Sequence, residues 1–292
     1  MRQPIVAGRF YPGTERACQT HLERIDAEPA SAEELPAQLV AAIVPHAGWD
    51  CSGHVAMEVF RTVEPRVPPG ATFLLFGAVH RFGVARASVD TGDAWHTPLG
   101  PMQVDASLAE LLLDEGGGLL IADSGSHNAE HSIEVQLPMI RHVFGDCPIL
   151  PIAAPPRADS HDVGCRVAEI VQRAGRQVFI VGTTDLTHYG RKFYGFAPAG
   201  TGRQGLDWVK TENDPRMIDL MRRLKAEEVV AEAAEHQNAC GAGAVAATLA
   251  AARQLGSTAG HVIDYTTSYD VVRDPLYGET VGDFVGYVGM VF

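Results

Sequence analysis

Three apolar runs in this sequence end on residues that can do chemistry. Ile43 and Val44 lead into Pro45-His46-Ala47-Gly48, which puts a histidine where a buried strand must stop. The run "TFLLFGAVH" ends on His80, and "QVFIVGTTDLTHYG" runs out into Asp185 and His188. Two histidines at separate strand ends suit a transition-metal site, because neutral imidazole serves iron, copper, nickel and zinc alike. A third ligand is then needed. The candidates are Glu130 and His131 in "NAEHSIEVQLP", Asp185, and Cys240 in "HQNACGAGA". Cys240 opens a Gly/Ala-rich helix, where free amides and the helix dipole favour thiolate, while its surroundings alone read as those of a buried, inert thiol. Ser132 is expected to cap a helix running to Val143 with Glu134 in its first turn, which leaves Glu130 and His131 as groups around the pocket.

Such residues must be carried to one place by the elements behind them. Short Val/Ile/Leu/Phe-rich runs predict strands over 39–44, 72–79, 119–122, 148–153, 177–181, 261–266 and 284–291. Helical patterns predict helices over 53–63, 106–114, 132–143, 160–174, 215–225, 227–235 and 241–254. This alternation builds a mostly parallel or mixed sheet with helices on both faces, and ligands of such sheets sit outside the carboxyl ends of the strands. No internal repeat and no Pro/Ser-rich linker divides the chain, so one α/β domain over residues 1–292 is expected. Residues 197–205, "APAGTGRQG", form the one loose stretch and read as a surface loop, with a lid over a site as the alternative.

The 292 residues carry 46% hydrophobic side chains at a mean hydropathy near zero, enough for a sizeable core in a soluble protein. The formal charge of −13, from 36 acidic and 23 basic residues with no basic block, excludes a nucleic-acid or anionic-membrane footprint. Five scattered cysteines with no CxxC pair read as reduced thiols of a cytoplasmic protein. His21, His142, His161, His236 and His261 lie in helical or edge patterns and read as structural. Phe10, Trp49 and Tyr189 are candidates for aromatic lining of the pocket.

With these residues assembled, the sequence resembles the Memo family, named for mediator of ErbB2-driven cell motility, and specifically its prokaryotic AmmeMemoRadiSam system protein B branch. The likeness runs through "AGRFYPG", "PHAGW", the strand ending on His80, "TPLG", "EHSIEVQLP", "DLTHYG" and "NACG" to the C-terminal strand. The family is similar in turn to the LigB-type class III extradiol dioxygenases, in which two His and one Glu hold non-haem Fe(II) and a further His is the acid/base. This resemblance implies His46 and His80 as metal ligands, His188 as acid/base with Asp185 beside it, and Cys240 at the position of the ligand Glu. A thiolate there is softer and itself oxidisable, so ring cleavage is not inherited with the fold, and Cu or Zn become alternatives to Fe(II).

The resemblance implies a mononuclear iron or copper redox enzyme acting on an unknown small-molecule or peptide substrate, with AMMECR1-like and radical SAM proteins as partners. Iron and copper binding, copper-dependent redox chemistry and, in eukaryotic members, phosphotyrosine-peptide binding have been associated with the family. Two other readings stand beside this one: a peptide-binding or small-molecule-binding adaptor with a degenerate cleft, and a zinc-dependent hydrolase that activates water.

Overall fold

The computed structural model describes residues 1–26, 35–193, 195–272 and 282–292. The seven expected strands form as β1 (Ala41–Val44), β2 (Thr72–Gly77), β6 (Leu120–Ala122), β7 (Ile149–Ala153), β8 (Val178–Thr183), β10 (His261–Thr267) and β11 (Phe284–Val291). Four short strands join them: β3 (Ala87–Val89), β4 (Ala94–Thr97), β5 (Gly100–Gln103) and β9 (His188–Tyr189). β4 and β5 pair as a hairpin, and "TPLG" is its turn, with the Thr97 hydroxyl donating to the Gly100 carbonyl at 2.7 Å.

The remaining strands make one sheet in the order β10-β11-β1-β8-β2-β7-β3-β6, with β9 paired to β11. Its four central strands are parallel, whereas β11 runs antiparallel to β1 and β3 antiparallel to β7, so the sheet is mixed. Ile43, Gly182, Phe76 and Ile152 lie level across β1, β8, β2 and β7. The chain therefore leaves Val44, Gly77 and Thr183 at one rim.

The helices are α1 (Glu15–Ile25), α2 (Trp49–Val63), α3 (Ala106–Glu115), α4 (Leu137–Phe144), α5 (Ser160–Arg173), α6 (Arg203–Trp208), α7 (Asp214–Arg222), α8 (Val229–His236), α9 (Ala242–Gln254) and α10 (Ser268–Val271). α9 packs on β1, β2 and β8 with α5 and α8 against it and α3 against α5, while α1, α2 and α4 cluster together and α2 covers β10 and β11. Small side chains let α9 lie flush on the sheet, and Ala242 to Ala252 are all buried. A Cβ on Gly164 of α5 would stand 1.9 Å from the Ala247 carbonyl oxygen, so only glycine permits this helix contact.

Several boundaries differ from the sequence reading. α2 begins at Trp49, directly after the Gly48 turn, and the loop expected over 197–205 gives way to α6 at Arg203. Ser132 does not cap a helix. Its hydroxyl points to the Ala78 carbonyl at 3.4 Å, and the segment passes through a 3-10 turn, Glu134–Gln136, before α4 starts with Pro138 in its first turn.

Glu134 is an internal anchor. Its carboxylate accepts from the amides of Ile5 and Val6, both at 2.9 Å, from the Tyr11 hydroxyl at 3.1 Å and from Arg2 Nη1 at 2.8 Å. Arg2 and Glu134 side chains are only 7% and 1% exposed, so removing one partner strands the other's charge in the interior. Glu134→Ala is expected to cost about 3–5 kcal/mol in urea unfolding. A loss near the ~0–1 kcal/mol of a surface pair would show that the N-terminal arm is not held this way.

Candidate metal centre

His46 stands two residues beyond β1 and is 1% exposed. Its backbone amide donates to Asp185 Oδ1 at 2.8 Å, which ties the exit of β1 to that of β8. Asp185 and Cys240 clasp each other in return. The Cys240 amide donates to the Asp185 carbonyl at 3.1 Å, and the Asp185 amide to Cys240 Sγ at 3.3 Å. This leaves Sγ 3.1 Å from His46 Nε2.

At the exit of β2, the ring of His80 lies with its centroid 5.1 Å from that of His46. Its Nδ1 is 3.0 Å from Glu130, whose carboxylate also accepts the amides of His80, His131 and Ser132 at 2.8–2.9 Å. Facing a carboxylate, Nδ1 carries the proton and Nε2 is left as the ligand atom, as in the carboxylate–histidine pairs of metal sites. Gly77 makes room for this, because a Cβ there would meet the Ile133 side chain at 2.7 Å. His131 stacks on His80 at 4.8 Å and presents its edge to His46 at 5.6 Å.

Two donor groups thus meet at His46: His46–His80–His131 and His46–Asp185–Cys240, with the ligand atoms in each all within 4.8 Å of one another. Burial holds the His46 imidazole well below its usual value, with His80 and His131 adding to it, and burial and His80 lower His131 to about 4. Both rings are neutral and able to donate a lone pair. Burial also pushes the Cys240 thiol up, which outweighs the helix-start effect expected from the sequence. His80 goes the other way: burial opposes its charge, yet Cys240 and Glu130 raise it to about 11. Glu130 stays well below the usual carboxylate range despite burial, held by His80 and the amides around it. His46 Nδ1 is buried without a hydrogen-bond partner, while Nε2 is the nitrogen turned to Cys240 Sγ. Nitrogen, thiol and carboxylate donors on one buried histidine fit a transition ion.

His188 follows Asp185 by three residues, and its field acts on both His46 and Asp185. Nδ1 lies 3.0 Å from the Leu186 carbonyl, an acceptor only, so Nδ1 carries the proton and Nε2 has no partner among the described residues. Phe193 sits edge-on against the ring at 5.2 Å. Thr187, between Asp185 and His188, is gripped by the Asp214 carboxylate at 2.5 Å and by Asn213 Nδ2 at 2.8 Å. Asn213 closes a π-helical turn, Val209–Asn213, a form concentrated at functional sites.

The structure therefore brings together His46, His80, Asp185 and Cys240, sets His188 beside them, and adds His131 to the donors. Of the aromatic candidates, Phe10 reaches the site, edge-on to His131 at 4.9 Å. Trp49 is buried with its Nε1 on the Val135 carbonyl, and Tyr189 lies in a separate cluster with Leu206, Val209 and Phe284.

A family model described as "Memo-like protein" matches residues 2–291. The chain belongs to the Memo-like family. Among its relatives, a MEMO1 family protein of Methanosarcina acetivorans is 32% identical over 298 residues, covering 100% of this chain and 98% of the relative. Another, from Thermococcus onnurineus, is 31% identical over 302 residues, covering 100% and 99%. By structure, this Memo-like chain is similar to an uncharacterized protein of Escherichia coli K12, with a TM-score of 0.56 over 87% of this chain and 100% of that one. Identity there is 11%, so the likeness speaks for the fold alone. Among the described residues of the Memo-like chain, no helix is long and apolar enough to cross a membrane.

Proposed function

We propose that this Memo-like chain is a mononuclear metal protein of redox type, in which His46, His80 and Cys240 hold Fe(II), or Cu in its place, while His188 moves a proton at Nε2. The observation that carries this reading is the 3.1 Å approach of Cys240 Sγ to the buried His46 Nε2. A thiolate with two imidazoles favours iron or copper over harder ions, and such an ion supplies one-electron chemistry when bound. Asp185 fixes the His46 backbone and, being buried beside His188, favours the protonated imidazole when that ring accepts a proton. Glu130 aims the His80 ring. Phe10 and Phe193 pack edge-on against His131 and His188.

A second reading rests on the three-imidazole group, His46–His80–His131, a donor set that suits zinc and the activation of water. All five cysteines are free thiols, which supports a reducing, cytoplasmic setting. We further propose that the substrate is a small molecule or peptide made or modified by AMMECR1-like and radical SAM partners.

Elemental analysis after anaerobic purification is expected to find iron or copper near one ion per chain, lost together with the thiol when Cys240 is alkylated. Zinc retained through alkylation favours the hydrolytic reading. Protein that takes up no transition ion on titration sinks both, and leaves a binding protein with a degenerate cleft.

A further inference from the structure

The same rim of the sheet carries a second feature that the metal reading does not use. Beyond the exit of β7 lies a cavity of about 200 Å³, lined by Arg86, Arg157, Asp159, Pro155, Leu119 and Val163 among others. Arg86 directly precedes β3, which lies two strands from β2, so this cavity stands on the order of 10 Å along the rim from the exit that bears His80. One loop joins the two places, starting at His80 and ending at Arg86.

The charges in the cavity are arranged rather than scattered. Arg157 is held fork to fork by Asp159, with Nε at 2.9 Å and Nη2 at 3.4 Å, and this leaves Nη1 without a partner among the described residues. The turn beneath it is fixed by Ser160, whose hydroxyl accepts the Arg157 amide at 2.9 Å and donates to the Pro155 carbonyl at 2.8 Å. Arg86 forms no ion pair among the described residues. Two guanidinium groups against one carboxylate leave a single positive charge in a chain whose net charge is −13. Pro155, Leu119 and Val163 add carbon surface to the same, mostly polar lining.

We propose that this cavity binds a small organic acid, its carboxylate on Arg86 and Arg157 Nη1 and its short carbon chain beside Pro155, Leu119 and Val163. The planar guanidinium matches a carboxylate with two parallel hydrogen bonds. A monoanion balances the one positive charge, whereas a dianion such as phosphate leaves a negative charge facing Asp159. The volume exceeds the needs of a bare ion, and so accommodates a few carbons. This site is independent of any bound metal.

The test is titration of butyrate, acetate and inorganic phosphate into the metal-free full-length protein, followed by calorimetry and by NMR shifts of the residues lining the cavity. Butyrate is expected to saturate in the millimolar range and to bind more tightly than acetate or phosphate. Arg86→Ala and Arg157→Ala should each weaken it about tenfold, the worth of one charge-assisted contact. Both side chains lie at the surface, so both variants keep the fold. Asp159→Asn should narrow the gap between butyrate and phosphate, because it removes the repelling carboxylate. His46→Ala should leave butyrate binding unchanged, which separates the fate of this proposal from that of the metal centre. Absence of saturation, equal affinity in the Arg86 variant, or tighter binding of phosphate than of butyrate would each overturn it.

Discussion

A His46→Ala variant is expected to lose transition-metal affinity by more than about a hundredfold, the upper end of what removal of a mere outer partner costs. His46 belongs to both donor groups, so no rearrangement among His80, His131, Asp185 and Cys240 restores a complete set. Because the ring is buried, its removal also leaves a cavity that water, a poor ligand for a soft ion, has to fill. Competition with a chelator of known strength measures the loss. The two arms of the cluster are then separated by Cys240→Ser and His131→Ala. With Cys240 as ligand, the serine variant weakens Fe(II) and Cu(I) binding severely, while His131→Ala costs no more than about 10–100-fold. The reverse order assigns the ion to the three imidazoles. Cys240→Glu is expected to recover Fe(II) at the expense of Cu(I), since a carboxylate replaces a soft donor with a hard one. Metal affinity that survives His46→Ala contradicts both arrangements.

The parts of this site that were legible in the sequence are those that the strands dictate. His46, His80 and Asp185 follow directly from apolar runs whose ends the pattern marks, and parallel strands in level register carry those ends to one rim. Cys240 was visible through the helix it precedes, and both a thiolate and a buried, inert thiol could be read from its surroundings. The helix start argues for thiolate, while burial, which only the packed structure reveals, argues more strongly for thiol.

"EHSIE" was misjudged for a similar reason. Locally, Ser132 followed by Glu134 looks like a helix start, yet Glu134 finds Arg2, Ile5, Val6 and Tyr11 more than 120 residues away, and Glu130 finds His80 fifty residues away. Non-local partners of that kind leave no periodic trace. The hydrophobic pattern also hid α1, which buries only Cys18 and Leu22, a single pair four residues apart. β3 is three residues long and β9 two, below the length at which alternation can be read. His131 was in view as a candidate ligand, but its place among the donors depends on the turn that Gly77 and Ile133 allow.

The protonation states around the ion lead to an expectation that tests the Cys240 assignment without any substrate. His46 and His131 are already neutral near pH 7, so they release no proton when an ion arrives. Cys240 differs, because burial raises its thiol and a bound thiolate must first lose that proton. His80, raised to about 11 by Cys240 and Glu130 against the effect of burial, must likewise shed any proton on its ligand nitrogen, while Glu130 keeps the one on Nδ1. Protons therefore compete with the metal, and acid favours the metal-free state. Affinity should rise at least tenfold per pH unit between about pH 6 and pH 8, and level off only above the raised thiol titration. In Cys240→Ser the hydroxyl keeps its proton, so the slope of log affinity against pH should fall by about one. Calorimetry in buffers of different ionisation enthalpy counts the released protons directly and gives the same difference by a separate route. An unchanged slope in the serine variant would show that the sulfur never reaches the ion, and would leave the imidazoles of His46, His80 and His131 as the ligands.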